Sequence, residues 1–300
     1  MRVVIFGCGY VGEALARAAV VKGWEVWALT RNAAALEALS CISSERRICA
    51  ELHKDDWHQR LVGEFDIAWN LVSSAGGGLA GYTTSYLEGN RSIARWAASG
   101  KLKRFVYSSA TSVYPQTEGE WVSETDVPDL ETLSPSGRIL RMAECTIASS
   151  PPAPIVQIFR LGGIYGPGRH LYLDRILAGE RFIPGEASGW LNLIHRDDIV
   201  HALLASALQS AEEDCHIYNL VDNEPAQKQA IADWLAHTLG KPSPQFDPTA
   251  TTSRTGRRLI KGKLPNRRIR NERARSELGW NPLYPTFREG YASILNALND

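Results

Sequence analysis

Apolar residues in the first half of the chain fall in short, nearly unbroken runs, each followed by a stretch in which they recur every third or fourth position. Arg2–Phe6 is such a run, β-branched and aromatic; after a glycine-rich turn, Leu15, Ala18 and Ala19 repeat at helical spacing within 13–22. The same alternation predicts strands at 25–29, 65–72 and 104–108, with helices at 33–39, 86–99 and 137–149. A further strand at 155–161 follows the break made by Pro151, Pro152 and Pro154. Strands that are apolar on both faces and alternate with helices predict an α/β fold, a doubly wound parallel sheet covered on both sides. Ligands of such sheets bind beyond the carboxyl ends of the strands.

From about Gly166 the rhythm weakens. A Gly/Pro turn at 165–169 precedes a short helix at 171–178 and a loop at 183–189, and Asp197 and Asp198 open an amphipathic helix that runs to Leu208. A strand is predicted at 217–221, then a helix, a Pro/Thr/Ser-rich loop over 242–255 and a last helix from Phe287. This second pattern predicts a smaller C-terminal lobe.

Gly7, Gly9 and Gly12 form G-x-G-x-x-G directly after the first strand and before the first helix. In that context the first glycine permits the tight turn, the second lets backbone approach a pyrophosphate, and the third lets helix and sheet pack closely. Gly7, Gly9, Tyr10, Val11 and Gly12 are therefore predicted to bind a dinucleotide at a helix N-terminus. The second strand ends in Thr30-Arg31-Asn32, with no carboxylate to accept from ribose hydroxyls. Arg31 offers a fork to a 2′-phosphate and Thr30 and Asn32 offer neutral donors, so NADP is the expected cofactor and NAD the alternative. On this reading residues 1–165 with about 190–222 form the dinucleotide-binding domain, and about 166–189 with 223–300 the substrate lobe.

Composition narrows the setting. The 300 residues carry 33 basic and 33 acidic side chains, which gives no global attraction to nucleic acid. Cys8, Cys41, Cys49, Cys145 and Cys215 are scattered without paired spacing, which predicts neither a disulfide framework nor a zinc site and fits a reducing compartment. Glycines and Glu13 interrupt the apolar N-terminus, and no run reaches the ~20 apolar residues that span a bilayer. A soluble cytoplasmic protein with no membrane partner and no bound metal is the expectation.

Several segments in order resemble the extended short-chain dehydrogenases, the NAD-dependent epimerase/dehydratase superfamily. They are Gly7-Cys8-Gly9-Tyr10-Val11-Gly12, Asp56-Trp57, the run from Asp66 to Leu71, Phe105-Val106-Tyr107-Ser108-Ser109 and Ser112-Val113-Tyr114. Others are the run from Arg160 through Gly163 to Arg169, His195-Arg196-Asp197-Asp198, Tyr218-Asn219-Leu220 and Glu277-Leu278-Gly279-Trp280. The resemblance implies that Asp56 and Trp57 hold the adenine and that Leu71, Val72 and Ser73 lie along the cofactor, with Ser108 and Gly163 completing the set. It also implies a small-molecule substrate with a hydroxyl or carbonyl group, such as a nucleotide sugar, and a homodimer through the helices at 86–99 and 137–149.

The catalytic positions depart from the family. Its members use a Ser or Thr four residues before the tyrosine of the Val-Tyr pair and a Tyr-x-x-x-Lys on the next helix, where the lysine lowers the phenol pKa. Here Ala110, Ser136 and Leu140 occupy those three positions, and Tyr86 stands where the family has an asparagine. The mixture resembles the atypical subgroup. Thr111, Tyr86 and Tyr114 are the candidate replacement acids, and Arg138 or Arg141 a replacement charge. Two function classes follow: an NADP-dependent oxidoreductase or epimerase-like enzyme with a rearranged acid/base set, and an NADP-binding redox sensor or scaffold without turnover.

Between Arg254 and Arg275 stand ten basic residues and one acidic residue, Glu272, with no interleaved aromatics. The resemblance implies that this region contributes to binding an anionic substrate, which makes Arg267, Arg268 and Arg270 candidates for an anion site, with a solvated charged loop as the alternative. The resemblance also makes Asn192 a candidate substrate contact. His195, Asp198 and His201 fall at helical spacing, and the resemblance assigns His195 and the aspartates to helix capping and lobe packing rather than to metal.

Overall fold

The computed structural model describes residues 1–299 except 75, 99, 101, 127, 211 and 251–257. The predicted helix end at Ser99, residues 251–255 of the loop at 242–255 and the basic residues Arg254 and Arg257 therefore lie outside the described residues.

Seven parallel strands make the central sheet: β1 (Arg2–Phe6), β2 (Glu25–Thr30), β3 (Arg47–Cys49), β4 (Ile67–Asn70), β5 (Arg104–Ala110), β6 (Ile155–Leu161) and β7 (Cys215–Leu220). Their spatial order is β7-β6-β5-β4-β1-β2-β3, every neighbouring pair parallel. The doubly wound α/β architecture expected from the sequence is present. The order in which successive strands are added reverses between β1 and β4, and at such a switch point a crevice opens beyond the strand ends.

Period-two alternation along the strands sorts their side chains onto two cores. Val3, Ile5, Trp69, Val106 and Phe159 pack with the helices Tyr10–Val21 and Arg196–Leu208 on one face. Val4, Phe6, Ala68, Phe105 and Ile158 pack with Gly89–Ala97 and Pro135–Ser149 on the other. A third core, built from Tyr165, Ile176, Leu193, Ile231, Leu235 and Tyr291, lies with the C-terminal elements.

Two local differences from the sequence reading bear on function. Strand β3 at 47–49, only three residues long, was not among the predicted strands. The predicted helix from Tyr86 begins instead as a π-helical turn, Thr83–Glu88, that runs into the helix Gly89–Ala97. At that join Asn90 is buried; its amide donates to Tyr86 O at 2.7 Å while its Oδ1 accepts from Asn70 Nδ2 at 2.7 Å. A side chain bonded to a carbonyl one turn back competes with the regular helix ladder, which accounts for the wide turn at this point.

Candidate functional site: a glycine-cradled cleft at the switch point

A cleft of about 410 Å³ opens beyond β1, β2 and β4. Gly7, Gly9, Tyr10 and Val11 form its floor, Leu29 to Asn32 and Ala50 to His53 one end, and Leu71, Val72 and Ser73 the opposite wall. The three glycines have separate duties. Gly7 has φ +92°, and a Cβ there would lie 2.6 Å from Val72 N; a Cβ on Gly12 would lie 2.1 Å from Gly7 O. A Cβ on Gly9 would meet nothing within 4 Å, because that side faces the open cleft. Gly9 is also the N-cap of the helix Tyr10–Val21 and supplies no side chain to its first N–H groups. An uncapped helix end above an open floor suits a bound pyrophosphate.

At the tip of β2, Asn32 Oδ1 accepts from Ala35 N at 3.3 Å and Thr30 Oγ1 accepts from Asn32 N at 3.4 Å. Those oxygens serve the turn; the hydroxyl hydrogen of Thr30 and the amide of Asn32 remain as donors. Among the described residues nothing forms a hydrogen bond or ion pair with the Arg31 guanidinium, which is exposed at the cleft edge. Glu51, across the same end, is held below the usual carboxylate range by Lys54, which bonds to it, and by Arg31 more weakly.

Asp56 and Trp57 do not line the cleft, contrary to the expectation. Trp57 is a core residue, 1% exposed, its Nε1 donating to Leu52 O at 3.1 Å, and Asp56 is exposed on the 3-10 turn Asp55–Arg60. The acidic-apolar pair nearest the end of the third strand, one residue beyond it, is Glu51-Leu52, and both residues line the cleft. Ser108 and Gly163 are also outside the lining: the Ser108 hydroxyl donates to Asn70 O at 3.0 Å, and Ile164 is the residue of its segment that faces in. Thr84, Ser85 and Arg169, not foreseen, complete the wall. Arg169 and Arg196 both lie over the Tyr10 ring, whose hydroxyl donates to Pro167 O at 3.0 Å.

The family's acid/base positions are rebuilt as an apolar wall. Val113, Tyr114, Val122, Leu140, Val221 and Ile269 cluster, with Tyr82, Tyr86 and Ala110 packed against them. Ser136, in the first turn of the helix Pro135–Ser149, is 2% exposed. The structure does not bring Tyr114 to an open site. It is wholly buried, and its hydroxyl donates to Asn219 Oδ1 at 2.8 Å and accepts from Arg160 Nη1 at 2.9 Å. Arg160 is in turn paired with Glu144 at 2.7 and 3.0 Å, and Ser109 donates to the same carboxylate at 2.6 Å. Thr111 and Tyr86 remain half-buried at the edge of this wall.

The structure separates the remaining candidates as well. His195 caps the helix Arg196–Leu208, its Nδ1 accepting from Asp197 N at 3.2 Å, while buried Asp198 accepts from the backbone of Leu283 and Tyr284. Asn192 is spent on backbone: Nδ2 donates to Arg267 O at 3.0 Å and Oδ1 accepts from Ile269 N at 2.7 Å. Arg268 lies between the rings of Trp121 and Trp190, Arg270 is ion-paired with Glu272, and Arg267 is buried beside Thr111. Arg138 and Arg141 pair with Glu131 and Glu144.

Residues 3–220 match the NAD dependent epimerase/dehydratase family. The chain belongs to that family. Among its curated relatives, Protein YeeZ of Escherichia coli is 29% identical over 289 residues, covering 95% of this chain and 96% of that protein. A 3-diazoavenalumate denitrifying reductase of a Streptomyces species is 33% identical over 218 residues, 68% of each chain. Among solved structures, the UDP-glucuronic acid 4-epimerase of Bacillus cereus, in complex with UDP-glucuronic acid and NAD, shares the fold at a TM-score of 0.79 and 18% identity, covering 99% of this chain and 100% of that one. Among the described residues no helix is long and apolar enough to cross a membrane.

Proposed function

We propose that this member of the family binds NADP(H) and reduces the carbonyl group of a small-molecule substrate, with a proton supplied by a group outside the family's tetrad. The observation that carries the cofactor assignment is the Arg31 guanidinium at the tip of β2, without a hydrogen bond or ion pair among the described residues, where a carboxylate would otherwise select NAD. The cleft residues fit the group: Gly9 leaves the floor open, the uncapped helix end faces it, and Glu51 and Leu52 stand at the adenine end. Bound there, NADPH would supply a hydride.

The chain's own residues favour reduction over epimerisation. With Leu140 where the family has lysine, the charge that draws down a phenol's pKa is gone from that position. A phenol in an apolar wall keeps its proton at neutral pH, so it suits donation to a carbonyl oxygen better than removal of a proton from an alcohol. Tyr86, half-buried against the same apolar cluster as Ala110, is our assignment for that donor, with Thr111 orienting the substrate oxygen.

Steady-state and single-turnover oxidation of NADPH across a panel of aldehydes, ketones and nucleotide sugars tests this reading. Turnover of at least one compound is expected, with Tyr86→Phe lowering kcat about 100-fold, the usual contribution of a positioned acid. Tight NADPH binding without oxidation by any compound would favour the second reading, a redox sensor or scaffold. That reading draws its support from the apolar residues at the tetrad positions and from the locked Tyr114.

A further inference from the structure

The short strand Gly163–Tyr165 pairs in parallel with Leu193–His195 and delivers the chain to a tight turn, Gly166 to Arg169, whose last residue lines the dinucleotide cleft. The turn closes on itself: Gly166 N donates to Arg169 O and Arg169 N to Gly166 O, each at 3.0 Å. It is also docked on the cleft floor. The Tyr10 hydroxyl donates to Pro167 O at 3.0 Å, and a Cβ on Gly166, where φ is +148°, would lie 2.7 Å from that hydroxyl. Backbone and Tyr10 thus hold the turn in place, and the Arg169 side chain is not needed for it.

Two guanidiniums lie over the Tyr10 ring, Arg196 at 5.2 Å and Arg169 at 5.5 Å from its centroid. Burial raises the pKa of Tyr10, and the two cations, Arg196 first, pull against it. They differ in what else holds them. Arg196 donates from Nε to Asp197 Oδ1 at 2.8 Å and is not part of the cleft lining. The Arg169 guanidinium is exposed at the cleft wall and forms no hydrogen bond or ion pair among the described residues. Tyr10 is the first residue of the helix whose uncapped end faces the cleft, so this free fork stands beside that end. A helix end offers roughly half a positive charge, which leaves most of the charge of a doubly negative diphosphate unbalanced. A guanidinium matches phosphate oxygens in pairs and stays charged at any working pH.

The geometry points to Arg169 as a strap across the diphosphate of the bound dinucleotide, reaching from the turn at 166–169 over the floor that Gly9 leaves open. The inference rests on the dinucleotide reading above, but neither on the reduction nor on the preference for NADP. It gives the two arginines of the cleft lining separate duties. Arg31 meets the 2′-phosphate and sets the choice of cofactor; Arg169 meets a group common to NADP and NAD and sets the affinity for both.

Calorimetric titrations of NADPH, NADH and ADP-ribose into the full chain and into Arg169→Met test it. ADP-ribose keeps the diphosphate and lacks the nicotinamide ring. Arg169→Met is expected to weaken all three ligands at least tenfold and by a similar factor, to leave the ratio of NADPH to NADH affinity unchanged, and to keep the Tm of the ligand-free protein within a degree or two. Should that variant not fold, Arg169→Gln serves with the same expectations. Undiminished binding of the dinucleotides by the variant overturns the assignment while leaving the cofactor reading intact. A loss confined to NADPH would move Arg169 to the 2′-phosphate, and a loss for NADPH and NADH but not for ADP-ribose would move it to the nicotinamide half; either result overturns the strap. No binding of any of the three by the parent would sink the dinucleotide reading and the strap together.

Discussion

The hydroxyl of Tyr114 is shared between Arg160, which donates to it at 2.9 Å, and Asn219, whose Oδ1 accepts from it at 2.8 Å, in a core closed to solvent. A tyrosine placed by sequence beside the reacting position is thus the keystone of a structural network that ends on Glu144. Tyr114→Phe is expected to leave two buried groups short of a partner and to cost roughly 1–3 kcal/mol of stability. Urea denaturation checks the cost, and kcat per folded molecule should stay within a factor of about three of the parent. A fall of 100-fold would return Tyr114 to the catalytic set.

Gly7 and Gly9 separate folding from binding. A side chain on Gly7 meets Val72 backbone at 2.6 Å in a left-handed conformation, so Gly7→Ala is expected to lower Tm by several degrees. Gly9 has φ −88° and open space before it, so Gly9→Val should keep Tm within a degree or two while dinucleotide binding falls at least 100-fold. Thermal melts with and without NADPH distinguish the two, and equal destabilisation by both would contradict the division of roles.

These two glycines also show what the sequence makes legible. Their spacing encodes a turn whose geometry is nearly obligatory, and strands apolar on both faces admit little but a parallel sheet between helix layers. Strand β3 is three residues long, too short for any periodicity, so the sequence points to Asp56-Trp57, whereas Glu51 and Leu52 are the acidic-apolar pair that lines this end of the cleft. Tyr114, Asn192 and Arg267 were read as candidates for chemistry alike, since hydrogen bonds spanning some 75 to 156 positions of sequence decide which are spent on structure.

Asp198 gives the fold a pH dependence. Burial raises its pKa to about 7, against the two backbone N–H groups of Leu283 and Tyr284 that pull it down. An acid that binds its proton more tightly when folded contributes stability below its unfolded pKa and loses it as pH rises towards the folded value. His195, lowered to about 4 by burial, acts in the opposite sense and loses stability as pH falls below its unfolded value. The two slopes oppose each other between about pH 4 and 6.5. Asp198→Asn removes one of them, so its Tm should climb more steeply than the parent's from pH 4.5 to 6.5. Parallel Tm curves would show that Asp198 does not titrate in this range.

The most direct test of the account is a pair of calorimetric titrations, NADPH and NADH into the intact chain and into Arg31→Ala. The account predicts at least tenfold tighter binding of NADPH by the parent, and a loss of most of that preference in Arg31→Ala with NADH affinity unchanged. NADH bound as tightly as NADPH would contradict the role given to Arg31, and no binding of either would contradict the glycine-cradled cleft as a dinucleotide site.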